Sequence, residues 1–206
     1  MIREIRSIAK LAFSNNLNQE SYERYLSRKN KEIEVFKPKL LVVGHGRHGK
    51  DTVCDILKRD FNLSFNSSSS FCNKLFIYNK LKDKYNYKNE QECYSDRHNH
   101  RKEWYDAICE YNTPDASRLG REIFTKHDIY CGLRNKREFF AMKNTGVFDY
   151  AIWVDRSMYL PKESKDSMSL EQWMADYTID NNGSIQELKL NVQNLMNYLF
   201  TINHID

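Results

Sequence analysis

From Lys39 onward the apolar positions follow two alternating rhythms. Short, nearly unbroken apolar runs stand at Leu40–Val43, Leu63–Phe65, Ile129–Cys131, Phe148–Val154 and Tyr177–Ile179. Runs of this length rich in β-branched and aromatic residues predict buried strands. Between them lie stretches with helical spacing: Val53–Lys58, Phe71–Leu81, Tyr94–Ile108, Pro114–Phe124, Lys136–Lys143 and Ile185–Phe200. In the last, Leu188, Val192, Leu195 and Leu199 fall on one face. Strand and helix alternate to the end of the chain, which predicts a parallel sheet with helices on both faces, a three-layer α/β fold.

The first strand runs directly into Gly44-His45-Gly46-Arg47-His48-Gly49-Lys50-Asp51-Thr52, and a helical pattern follows at once. Strand, G-x-x-x-x-G-K and helix in this order predict a phosphate-binding loop. The glycines let successive N–H groups turn inward around phosphate oxygens, and the helix adds its unpaired N-terminal donors. Residues 44–52 are therefore the expected ATP cradle, with Lys50 reaching the outer phosphates. Asp51 stands where Ser or Thr usually holds Mg²⁺, with Thr52 behind it. A carboxylate also ligates magnesium, so both residues are metal candidates.

Residues 1–36 read as a separate helical extension ahead of a domain spanning 37–206, with Lys37-Pro38 at the join. Ile2, Ile5, Ala9, Ala12 and Phe13 share one helical face, and Tyr22, Tyr25, Leu26 and Ile33 suggest a second helix. Its basic flanks suit either a packing extension or an arm that contacts nucleic acid. The 206 residues carry a net charge of +4, which permits polyanionic partners without requiring one. No apolar run approaches the roughly 18 residues of a membrane span. The five cysteines form no C-x-x-C pair, which favours reduced thiols and a cytoplasmic protein without membrane partners.

Cationic side chains recur on two predicted helices and at the ends of two predicted strands. Arg97, Arg101 and Trp104 follow i, i+4, i+7 spacing, suited on one helix face to a phosphate and a stacked base. A solvated basic face with Trp104 turned into the core fits the same spacing. Arg118 and Arg121 lie three apart on the next helix, facing either the phosphates or water. Arg134 follows a strand and a glycine turn, at the carboxyl edge where parallel sheets bind ligands. Arg156 ends the next strand at the root of a lid-length loop, Ser157–Leu170, that holds Pro161, Glu163, Ser164 and Asp166. Ser67–Ser70 offers helix caps or hydroxyls for a substrate.

The G-K-D-T ending of Gly44–Thr52 resembles the nucleotide loop of bacteriophage deoxynucleoside monophosphate kinases. Ala175–Gly183 is similar to the last strand and turn of small P-loop kinases such as dephospho-coenzyme A kinase, where the turn lies near adenine; this implies an ATP contact at Asn181. Asn99-His100-Arg101, Trp104-Tyr105, Asp128–Arg134 and Trp153-Val154-Asp155 resemble phage-encoded small kinases. These include the 5-hydroxymethyluracil DNA kinases of the thymidylate-kinase-like class. The resemblance spans roughly residues 40–200. It implies ATP- and Mg²⁺-dependent phosphoryl transfer to 5-hydroxymethyluracil in phage DNA, or alternatively to free deoxynucleoside monophosphates. A third reading is a binding module that uses ATP as a switch without catalysis.

In the enzyme readings, Lys50 follows the γ-phosphoryl group, and Arg97, Arg101 and Arg134 hold the acceptor or the transition-state charge. A hydroxyl acceptor needs a carboxylate to take its proton, and Asp128 and Asp51 are the candidates. The lid departs from the monophosphate-kinase pattern, since Lys162 and Lys165 are its only cations beyond Arg156 at its root.

Overall fold

The computed structural model describes residues 37–165 and 167–203. The expectations for residues 1–36 lie outside the described residues.

Five parallel strands form a single sheet among the described residues: β1 (Leu40–Val43), β2 (Phe65–Ser67), β3 (Ile129–Cys131), β4 (Tyr150–Asp155) and β5 (Tyr177–Asp180). Their order across the sheet is β2-β3-β1-β4-β5, so β1 is central. Leu41 pairs with Tyr130 on one side and Ala151 on the other, and Val43 pairs with Trp153. Since side chains alternate along a strand, these residues share one face. Leu40, Val42, Ile129, Cys131, Ile152 and Val154 share the opposite one, and all are buried. Both faces of the central strands are thus covered, as their unbroken apolar runs require.

The second face is covered by α1 (Lys50–Phe61) and the last helix, α8 (Ile185–Ile202), which pack on each other. Helix α1 buries Val53, Cys54, Ile56 and Leu57; α8 buries Leu188, Val192, Met196, Leu199 and Phe200. The other face carries the larger helical layer. It begins with α2 (Ser68–Cys72), a π-helical turn at Asn73–Ile77 and α3 (Tyr78–Tyr85). It continues through α4 (Glu90–Asp96), α5 (Arg101–Tyr111), α6 (Arg118–Phe124) and α7 (Lys136–Asn144). Phe71, Ile77, Trp104, Leu119, Ile123, Phe139 and Met142 belong to its core with Leu41, Tyr130 and Trp153. With a glycine turn joining β1 to α1, the chain has the three-layer α/β fold of P-loop NTPases.

Three elements differ from the sequence pattern. Strand β2 lies two residues later than Leu63–Phe65, because Asp128 binds the Ser64 amide and hydroxyl and places that residue before the ladder. A helix occupies Glu90–Asp96, capped by the Asn89 side chain on the Glu92 amide at 2.9 Å. The chain then turns at 97–100 before α5, so Arg97 and Arg101 do not share a helix. No helix among the described residues is long and apolar enough to cross a membrane. The five cysteines are free thiols.

Candidate active site

The turn between β1 and α1 is shaped by positions where a side chain does not fit. Gly44 has φ +143°, and a Cβ there would stand 2.6 Å from the Val154 carbonyl oxygen. Gly49 has φ +91°, and a Cβ would run into the Asn181 amide. Arg47 also takes a left-handed conformation, at φ 65°. Only glycine meets both demands at 44 and 49: a positive φ and a close backbone approach.

Neighbouring strand ends brace the loop from below. Asn181, just past β5, is buried and donates through Nδ2 to the His48 carbonyl at 2.9 Å. His48 is fully buried, and its Nδ1 accepts the Arg156 amide at 3.0 Å. That bond leaves the proton on Nε2, which has no hydrogen-bond partner among the described residues. His45 sits edge-on to both His48 and Trp153, with ring centroids 5.3 and 5.2 Å away. Burial first, and then the His48 ring, lower the His45 pKa, so its Nδ1 is free to accept the Glu163 amide at 3.2 Å.

At the mouth of the loop the cations converge on one carboxylate. Glu163 accepts the Gly46 amide at 2.6 Å and Arg134 Nη1 at 2.8 and 2.9 Å, and Arg101 Nη1 lies 3.6 Å away. Burial works against the Glu163 charge, but Arg134, the Gly46 N–H and Lys50 outweigh it and lower its pKa. Lys50 bends back to donate to the His45 carbonyl at 2.6 Å. Burial and the nearby Arg134 lower its pKa, while Cys131, Asp51 and Glu163 oppose them. A polyphosphate would supply the missing counter-charge.

Asp51 and Thr52 are exposed in the first turn of α1, on this same edge. Asp51 Oδ1 accepts the Cys131 thiol at 3.6 Å, which sets the carboxylate beside the end of β3. The donor set fits Mg²⁺-polyphosphate: a loop that already holds an anion through a backbone N–H, a lysine, two arginines and an exposed oxygen ligand.

Other residues singled out by the pattern stand elsewhere. Asp128 precedes β3, at the amino edge of the sheet, whereas the glycine loop leaves β1 at the carboxyl edge. It binds the Ser64 amide and hydroxyl, both at 2.9 Å, and Lys39 Nζ at 3.4 Å. It is a staple between strand entries, on the edge away from the loop, and not beside Lys50 or Arg134 as the expected role as base requires. Trp104 is buried in the helical core edge-on to Tyr94, so it has no free face for a base. Arg97 stacks on Tyr94 and donates to its carbonyl. Arg118 lies over Tyr111 and pairs with Glu122; Arg121 pairs with Asp115 and Ser117. These bonds give Arg118 and Arg121 structural partners on the outside of α6. Arg156 donates to the Asn181 carbonyl at 3.1 Å and lies over Tyr159, which ties the lid root to the β5 turn.

No protein-family model and no curated protein matches the chain. Among solved structures it is similar to the shikimate kinase of Acinetobacter baumannii in complex with shikimate. That likeness has 12% identity, a TM-score of 0.48 and coverage of 86% of this chain and 99% of the other. Against Bacteroides thetaiotaomicron shikimate kinase the values are 11%, 0.42, 78% and 96%. Against a gluconokinase of Sinorhizobium meliloti 1021 they are 9%, 0.42, 82% and 99%. Likeness this slight adds nothing to what the chain's own topology says.

Tertiary contacts also bring out a residue that spacing did not single out. Glu163 reads in sequence as one polar member of a loop, yet it is bound to Gly46, 117 positions earlier. Nothing in its local sequence, which also carries Asp166 and the lysines Lys162 and Lys165, sets it apart.

Proposed function

We propose that the chain transfers the γ-phosphoryl group of ATP to a nucleotide-type acceptor, and that the acceptor is 5-hydroxymethyluracil within DNA. The observation that carries this reading is the convergence of the Gly46 N–H, Arg134 and Arg101 on one anion at the mouth of the loop. Phosphoryl transfer needs positioning and charge neutralisation more than covalent help. A loop amide, a mobile lysine and two guanidiniums from separate elements supply both.

In this reading residues 44–52 hold the phosphates of ATP, and Lys50 leaves the His45 carbonyl to follow the γ-phosphoryl group. Arg134 and Arg101 neutralise the charge between donor and acceptor. Magnesium, held by Asp51 or Thr52, would supply Lewis-acid charge at the phosphates. With Asp128 on the far edge and Thr52 as the magnesium ligand, Asp51 is the carboxylate left from the two candidates to take a proton from a hydroxymethyl group.

Two observations favour a base in DNA over a free monophosphate. Trp104 is buried and offers no stacking surface, and the described lid residues carry lysines rather than arginines. The exposed Arg101 suits the phosphate of a deoxynucleoside monophosphate equally well and keeps that as the second reading.

The test supplies γ-labelled ATP and magnesium with duplex DNA containing 5-hydroxymethyluracil, ordinary duplex DNA and a panel of deoxynucleoside monophosphates. Label entering only the modified DNA is the expected result, and label in a monophosphate establishes the second reading. Lys50→Ala should lower kcat at least about 100-fold while the melting profile holds. Activity within threefold of wild type would remove the assignment.

A further inference from the structure

The Glu163 carboxylate stands where the loop would receive a phosphate. Gly46 lies against it so closely that a Cβ at 46 would be 3.0 Å from Oε1. The carboxylate accepts the Gly46 N–H, binds Arg134 twice and lies beside Arg101. The lid is fastened on both sides of this point. Upstream, the Glu163 amide donates to His45 Nδ1 at 3.2 Å. Downstream, the Ser167 carbonyl accepts Arg134 at 3.3 Å, and the Ser169 amide donates to the Arg134 carbonyl at 3.0 Å.

These contacts share a chemistry: an anion on a turn of backbone N–H groups, clamped by guanidinium. A carboxylate presents two oxygens to such donors much as a phosphoryl group presents its own. Both anions cannot occupy the Gly46 amide and Arg134 together, so one must leave when the other arrives.

The geometry points to Glu163 as a tethered stand-in for phosphate, a latch that holds the lid over the loop and competes with the nucleotide's phosphates for Gly46 and Arg134. This inference rests on the phosphate-binding reading of residues 44–52. Phosphate entry expels the carboxylate, breaks the His45–Glu163 contact and frees Arg134 for the phosphoryl group. Lid position and nucleotide occupancy are thereby coupled through a single anion site. The coupling is reciprocal: whatever holds the latch shut weakens phosphate binding by the same factor.

Calorimetric titration with sodium tripolyphosphate tests the latch on the full chain. Glu163→Ala should bind about tenfold more tightly than wild type, with Glu163→Gln between them because it keeps the Gly46 hydrogen bond but not the charge. Equal or weaker binding by both variants would overturn the latch and make Glu163 a positioning residue for Arg134. Hydrogen exchange gives an independent reading. Tripolyphosphate should speed exchange across 157–165 in wild type, and in Glu163→Ala that segment should exchange fast from the start. Slower exchange on binding in wild type would overturn the proposal. Lys50→Ala separates the two layers of the argument. Binding abolished by Lys50→Ala but unchanged by either Glu163 variant would remove the latch alone. Binding indifferent to Lys50→Ala would remove the phosphate-loop reading and the latch with it.

Discussion

Asp128 shows how a single carboxylate is reassigned once its surroundings are known. In sequence it is one of two candidate bases, alongside Asp51, yet its partners are the Ser64 amide and hydroxyl and the Lys39 ammonium. Burial raises its pKa, but the Ser64 bonds and then Lys39 outweigh that, and the net shift is downward. A carboxylate depressed in the folded state stabilises the fold above its unfolded pKa, and that contribution is lost as pH falls through the folded value. Asp128→Asn should therefore lower the melting temperature at pH 7, with the gap closing as the solution is acidified below about pH 4. Its kcat should stay within twofold of wild type, which phosphoryl-transfer assays would check. A hundredfold loss of kcat in a folded variant would return Asp128 to the chemistry.

Helix α8 is the element most openly written in the sequence. Ser184 accepts the Glu187 amide at 3.2 Å, and the Glu187 carboxylate returns to the Ser184 amide at 2.7 Å. This capping box starts a helix whose apolar stripe closes one face of the sheet with α1. Ser184→Ala should cost about 1 kcal/mol, a fall of about 2–4 °C in melting temperature for a chain of this size. Thermal unfolding followed by circular dichroism would measure it, and an unchanged midpoint would mean the cap is idle. Elements in the larger helical layer were less legible. The π-helical turn at Asn73–Ile77 and the break at 97–100 interrupt the helical period, so spacing alone joined Arg97 and Arg101 into one stripe. Their actual separation into two elements is what lets Arg101 reach Glu163 while Arg97 stays on Tyr94.

At the scale of the whole molecule, a buried acid makes stability depend on pH. Glu138, in the first turn of α7, is buried, and its pKa is pushed up to about 7 by burial, only partly offset by Asn112. An acid whose folded pKa exceeds its unfolded value leaves the folded state binding more protons, so stability falls as pH rises from about 4.5 to about 7. Glu138→Gln removes that loss. It should melt higher than wild type at pH 8, by no more than about 3 kcal/mol in stability, and show little advantage at pH 4.5. An advantage independent of pH would mean that the carboxyl's ionisation is not its source.

The chain's own pattern determined the alternation of strands and helices, the glycine turn after the first strand and the last helix. Each of these rests on local rules: short apolar runs for buried strands, glycine where φ is positive, serine and glutamate at a helix start. The position of Arg134 was legible for the same reason, since a residue just past a parallel strand lies at the ligand-binding edge. Only the tertiary structure decided which charges meet. Arg101, Arg134, Gly46 and Glu163 come from four separate segments, and their meeting depends on how the lid and the helical layer fold back over the sheet. Trp104 went to the core because its helix turned that face inward, a choice made by packing partners that no spacing rule contains. Local conformation is governed by a few neighbouring residues. The electrostatics of a site are set by groups brought together across more than a hundred positions.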